Sequence, residues 1–179
     1  MLITAASFTG RHKIATDNFS AASLDLYIAK YQAEMLQDLL GITLFNLFKT
    51  ATTDLTVAPP SGIYKDIYDA FAYDNSSSVQ YVADCYCVAG SIVRSQGMQE
   101  MLKGFVYFFY TRDQPFKNTV MGTVTEDNDN SKLVAAHKSG MISRYNDAVE
   151  SYKAIQHKIS LDPANYPTFK GVAKDKIFF

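Results

Sequence analysis

Two cysteines one residue apart, Cys85 and Cys87, are the nearest this chain comes to a reactive pair. On a strand they point the same way, but a zinc site needs a second pair, so they read as buried free thiols. His12, His137 and His157 are scattered and lack the HxxxH spacing that sets two imidazoles on one helical face. Each is expected to be solvated or to cap a helix. Asp127, Asn128, Asp129 and Asn130 have the composition of a calcium loop. However, Lys132 and Lys138 occupy the places where such a loop carries its glycine and its closing glutamate, so a solvated turn is expected. Glu100, Asp113, Asp147 and Glu150 fall on amphipathic stretches, where acids ordinarily face water rather than pair as general acid and base. No GxSxG, GxxxxGK[ST] or GxGxxG occurs. The expectation is a chain that is not an enzyme, with no catalytic residue, no cofactor and no metal. Arg112 and Asp113 remain as charges of interest. They lie between an aromatic helix and Pro115, and are expected to form either a local ion pair that fixes the exit turn or a bridge between subunits.

The elements that must position these residues are mainly helical. Leu24, Ile28, Tyr31, Met35 and Leu39 recur at spacings of three and four, with Tyr27, Leu36 and Leu40 widening the stripe and Lys30, Gln32, Glu34, Gln37 and Asp38 largely between them. Gly41 stops this helix and residues 42–48 restart the apolar pattern, which gives a hydrophobic elbow. Residues 63–71 suit a short helix. Residues 79–93, β-branched and aromatic around Gly90, read as strand or irregular insertion. Residues 96–112 are apolar almost all round, so this helix is expected to be central, with Gly104 marking a close helix crossing. Residues 118–134 read as a hairpin or extended arm with its polar tip at 126–130. A third strong helix spans 139–161, with Met141 or Ile142, Tyr145, Val149, Tyr152, Ile155 and Ile159 buried and Pro163 ending it. The tail, 162–179, finishes in Ile177, Phe178 and Phe179 and is expected to dock on its own or a neighbouring subunit.

The fold class expected is therefore mainly α: a bundle of three long helices plus short ones, with a small β-hairpin or extended arm. It forms one domain over 1–179, with a body at about 20–115 and 139–161, the arm at 116–135 and a docking tail at 162–179. The chain is 47% hydrophobic and 20% charged, ordinary globular composition, and no stretch approaches the roughly 20 apolar residues of a spanning helix. The N-terminal stretch has no signal-peptide pattern, so a soluble, non-secreted protein with no membrane partner is expected. Seventeen basic against eighteen acidic residues remove the electrostatic case for gripping nucleic acid. Twelve Phe and twelve Tyr suit surfaces that become half-buried when subunits meet.

The run YIAKYQAEMLQDLLGITLFNLF (27–48) resembles the opening helix and LLGxxL[FY] turn of the head-tail connector (adaptor, or head-completion) proteins of tailed bacteriophages. Residues 94–113 (RSQGMQEMLKGFVYFFYTRD) resemble the central helix of that family and residues 144–157 (RYNDAVESYKAIQH) its last long helix, in the same order, over about a third of the chain. The layout is most similar to versions from phages of Bacteroidetes hosts, including crAss-like phages. The resemblance implies a structural virion protein that forms a homo-oligomeric ring, usually a dodecamer, beneath the portal in the viral neck. Such a ring is assembled in the host cytoplasm, docks on the portal protein, extends the DNA channel without sequence-specific binding, and presents a platform to downstream tail or neck proteins. The residues expected to meet neighbours are Arg112, Asp113, Phe116, Val120, Met121, Val124, Phe178 and Phe179. The alternative is a small helical module that regulates another protein through residues 79–93.

Overall fold

The computed structural model describes residues 1–14, 21–74, 92–113, 116–119, 122–125 and 131–178. Two 3-10 turns, Ala5–Ser7 and Gly10–His12, precede α1 (Ala21–Leu40), α2 (Ile42–Ala51), α3 (Ile63–Tyr68), β1 (Phe71–Asp74), β2 (Ile92–Ser95), α4 (Met98–Asp113), β3 (Phe116–Thr119), β4 (Gly122–Thr125) and α5 (Ser131–Ser160). The described residues are mainly helical, with two small antiparallel two-stranded sheets, β1 with β2 and β3 with β4.

The core follows the apolar stripes. Leu24, Ile28, Met35, Leu36, Leu39 and Leu40 of α1 are buried, and α4 buries residues all round its axis, from Met98 and Met101 to Val106, Tyr107 and Tyr110. Val149, Tyr152, Ile155 and Ile159 of α5 complete it. Gly104 is the crossing point of α4 and α5: a Cβ built there would lie 2.8 Å from the Ala148 Cβ and 2.8 Å from the Arg144 carbonyl oxygen. An aromatic series ties the three helices together. Tyr31 of α1 stacks on Phe109 of α4 at 4.2 Å, Phe108 meets Tyr145 of α5 at 4.6 Å, and Phe105 lies edge-on to Tyr145 and Tyr152. Such ring pairs add about 0.5–1.5 kcal/mol each beyond their buried area.

Several boundaries differ from the sequence expectation. Helix α5 begins at Ser131 rather than 139, because residues 131–138 include the helix formers Lys, Leu and Ala. The hairpin is present, but its register pairs Phe116 with Thr125 and Thr119 with Gly122. Both strands thus precede the polar run 126–130, which was expected at the tip; that run and residues 120–121 lie outside the described residues. Phe71, expected on the short helix, opens strand β1 and pairs with Ser95. Of the 79–93 segment, Ile92 and Val93 are in β2, while 79–91, with Cys85 and Cys87, lie outside the described residues. Gln32, which falls between the residues of the apolar stripe, is buried, and its Oε1 accepts a hydrogen bond from the Ile3 N–H at 3.2 Å.

After α2 three successive non-glycine residues, Thr53, Asp54 and Leu55, are left-handed, with φ of 48°, 58° and 61°. Burial of Leu55 and a 2.9 Å ion pair between Lys49 and Asp54 hold this turn against its strain. Relief of about 1–2 kcal/mol per left-handed residue outweighs the extra chain entropy of glycine, roughly 0.5–1 kcal/mol. Thr53→Gly at this exposed position is thus expected to raise stability by about 0.5–1 kcal/mol, read as a higher denaturant midpoint at unchanged slope.

Candidate interaction surface

Helix α4 ends in a latch. Arg112 Nε donates to Asp113 Oδ1 at 2.7 Å, the Tyr27 hydroxyl donates to Asp113 Oδ2 at 3.2 Å, and the Arg112 guanidinium lies over Phe109 at 5.1 Å. The carboxylate hydrogen bond holds the Arg112 pKa above its ordinary value. Burial, followed by the nearby Asp113 charge, raises that of Tyr27. This is the expected local ion pair, with a tyrosine from α1 added; the exit turn that follows, 114–115, lies outside the described residues.

The tail docks on its own subunit. Tyr166 is buried and donates to the Ile63 carbonyl at 2.6 Å. Beyond it the chain runs extended beside the end of α1 and along α5. Lys170 N–H and Val172 N–H donate to the carbonyls of Leu40 (3.4 Å) and Asp38 (2.7 Å). Gln156 Nε2 donates to Leu39 and Val172 carbonyls, the Tyr152 hydroxyl donates to Val172, and Asn146 exchanges two 2.9 Å hydrogen bonds with the Ile177 backbone. Lys174 pairs with Asp38 at 2.8 Å and Lys176 with Glu150 at 2.5 Å. Close approach is possible because residues 41 and 171 are glycines. A Cβ at Gly41 would meet the Lys170 carbonyl oxygen at 2.6 Å, and one at Gly171 would meet the Leu39 carbonyl oxygen at 2.3 Å.

Two histidines expected to be solvated or to cap a helix are instead buried against side chains of other elements. His157 is wholly enclosed, stacks on Tyr73, and shares a hydrogen bond through Nδ1 with the Tyr73 hydroxyl. His12 sits where the N-terminal segment crosses α4 and α5, 3.5 Å from Glu100. Arg11 pairs there with Asp147, Glu100 with Lys103, and Arg144 Nε donates to the Arg11 carbonyl while its guanidinium covers Tyr107. Burial, outweighing the Glu100 charge and reinforced by Arg11, Lys103 and Arg144, lowers the His12 pKa to about 4; burial also lowers that of His157. The unfolded chain, whose histidines titrate near 6.5, then takes up protons first. The stability these neutral rings confer is whole above about pH 6.5 and declines as pH falls toward 4. Denaturant titrations from pH 7.5 to 4.5 are expected to show this decline, and His12→Gln to remove roughly 2 kcal/mol of it.

A small polar cavity of about 10 Å³ lies among Arg11, His12, Glu100, Arg144 and Asp147, room for a single water at most. Beside it an open groove of about 680 Å³ runs along β1 and β2, lined by Phe71, Arg94, Gln96, Asp147 and Glu150 among others. Among the described residues no three potential ligands cluster as a metal site, and no helix is long and apolar enough to cross a membrane.

Of the residues expected to meet neighbours, Arg112 and Asp113 are together in the latch. Phe116 and Val124 lie on the two hairpin strands, each opposite a polar partner, Thr125 and Lys117 respectively. Phe178 is 82% exposed, and Val120, Met121 and Phe179 lie outside the described residues. The latch and hairpin are consecutive in the chain; the tail runs separately along the α1 and α5 side. Sequence reasoning placed Tyr152 on the buried stripe but missed its polar network with Asn146 and Gln156, because amides among the many polar residues of 144–157 carry no signal that sets them apart. The chain matches no family model, no curated protein and no solved structure.

Proposed function

We propose that this chain is the subunit of a homo-oligomeric ring at the portal end of a tailed phage, a head-tail connector whose body is built on the long helices α1, α4 and α5. In this reading the ring, a dodecamer in the family it resembles, sits in the virion neck between portal protein and tail components and passes DNA without gripping it. The observation that carries the reading is the ribbon β3–β4. Among the described residues it pairs only with itself, and an isolated two-stranded hairpin is marginal in water unless a further surface covers it. It follows the Arg112–Asp113 latch closely in the chain, and in this reading its strand edges pair with a neighbour. Further support comes from the exposed Phe178, from near-balanced charge, and from the three segments that resemble the family, which coincide with the α1–α2 elbow, α4 and α5.

The test is the solution mass of the purified protein alone and mixed with the portal protein encoded beside it, followed by electron microscopy of any large species. Rings, alone or seated on the portal, are the expected result; a monomer indifferent to the portal would overturn the reading. The groove along β1 and β2 favours a second reading, a non-catalytic binding module that stays monomeric and takes its partner there.

A further inference from the structure

Strands β1 and β2 form a ribbon that lies along α5 and is fastened at two places. Its base is fixed through the backbone. The Gln96 N–H donates to Ser151 Oγ at 3.2 Å, and Gly97, at φ of 90°, packs so closely on the end of α3 that a Cβ there would stand 3.1 Å from the Tyr68 carbonyl oxygen and from the Ala70 nitrogen. The second fastening is Tyr73 on His157, about 9 Å farther along α5 at 1.5 Å per residue. A two-stranded sheet has little stability of its own, so these attachments decide whether the ribbon is closed.

His157 can stay in this place only while it is neutral. The ring is 0% exposed, Nδ1 is engaged by the Tyr73 hydroxyl, and Nε2 is buried and makes no hydrogen bond among the described residues. A protonated imidazole donates through both nitrogens. Tyr73 Oη can accept from Nδ1–H, but Nε2–H would have no acceptor and the ring no counter-charge. Of the charges on the surrounding elements, Lys153 and Lys158 on α5, Asp74 on β1, Arg94 on β2, Asp66 and Asp69 on α3, Glu100 and Lys103 on α4 and Asp162 after α5, none shifts the ring; burial alone lowers its pKa. Lys158 is engaged by the Asp66 carbonyl and the face of Phe71. His12 differs, because Glu100 stands 3.5 Å from its Nδ1 and partly offsets the effect of burial.

We propose that the Tyr73–His157 contact is an acid-released clasp: protonation of His157 frees β1 and β2 to swing from α5 about the base at Gln96 and Gly97. The inference is independent of the ring reading. With the ribbon open the ring meets water and titrates near 6.5, whereas with the ribbon closed burial holds it neutral to lower pH. Opening is therefore constant above about pH 6.5 and rises by up to about tenfold per pH unit below it, until the buried ring itself takes the proton. The movement uncovers Val93, His157 and the half-buried Phe71 and Tyr73, and it reshapes the groove along β1 and β2.

The test is backbone hydrogen exchange of the full-length protein at pH 7.5 and 5.5, corrected for the intrinsic exchange rate at each pH. Protection at 71–74 and 92–95 is expected to fall roughly five- to tenfold more than protection at 101–106 in α4, where any loss reports global destabilisation through His12. The extra fall is expected to vanish in His157→Gln, which keeps an oxygen for the Tyr73 hydroxyl to donate to and cannot take up a proton. A ribbon that exchanges only together with α4, or an extra fall that persists in His157→Gln, would overturn the proposal. The unaltered protein gives a second reading that needs no variant, the titration of the His157 Cε1 proton by NMR. A midpoint below 6.5 is expected, and one at or above 6.5 would show that burial does not oppose the charge and would sink the clasp.

Discussion

Gly41→Ala is expected to cost about 2–6 kcal/mol and to detach the tail. Two terms contribute. Gly41 has φ of 75° and ψ of 156°, a conformation almost confined to glycine and worth about 1–3 kcal/mol of strain in any other residue. The new Cβ would also stand 2.6 Å from the Lys170 carbonyl oxygen, and backbone cannot swing aside as a flexible side chain does, which adds about 1–3 kcal/mol. Gly62 separates the terms: its φ is also 75°, yet nothing lies within 4 Å of its would-be Cβ. Gly62→Ala should therefore show the strain alone. The difference in denaturation free energy between the two variants measures the docking of residues 170–172, and loss of a carbodiimide crosslink between Lys174 and Asp38 in Gly41→Ala alone would confirm where it acts. Equal costs would mean that the tail contributes nothing at the elbow.

Gly104→Leu is expected to destabilise by about 3 kcal/mol or more, although leucine is much the better helix former. Propensity favours the substitution by nearly 1 kcal/mol, so a net loss isolates the crossing. The side chain would have to occupy space already held by the Ala148 methyl and the Arg144 carbonyl, and would push α5 from α4 along the aromatic series of Phe105, Phe108, Tyr145 and Tyr152. Gly140 is the internal control. Its would-be Cβ meets only Arg144 Nη1, a side-chain end and not backbone, so the helix propensity of alanine offsets the displacement of that hydrogen-bonded guanidinium and Gly140→Ala is expected to change stability by less than about 1 kcal/mol. Thermal melts of both variants read the contrast directly, and a neutral Gly104→Leu would show that the helices part there at no cost.

What could be read from the residues and what could not divide by the range of the interactions. The elbow at Gly41, the all-round apolarity of α4 and the close approach at Gly104 are local patterns of spacing, and the structure has each of them. The first two turns of α5 escape a reading that starts the helix at its apolar stripe, because propensity and not a stripe extends it to Ser131. Phe71 stands four residues after Ile67, the spacing of a helix, whereas its strand partner Ser95 lies 24 residues along the chain, and the turn cluster at 75–78 does not specify which residues beyond it will pair with 71–74. The histidines were misjudged for the same reason. Nothing near His12 reveals Glu100, and nothing near His157 reveals Tyr73, 84 residues away. At the expected interface, the Arg112–Asp113 pair was legible because its partners are adjacent, and the route of the tail was not, because its acceptors are carbonyls of α1.

The tail's path also bears on the order in which the molecule can form. Asp38 and Lys174 are 136 residues apart, and the Asp38 carbonyl at the end of α1 receives its hydrogen bond from Val172. During synthesis the helix and its elbow therefore emerge long before the strand that covers them, and closing so long a loop comes late and slowly. Until then the Asp38 and Leu40 carbonyls and the α1–α5 groove face solvent on the nascent chain, a window in which a chaperone or another ribosome's product can engage that groove first.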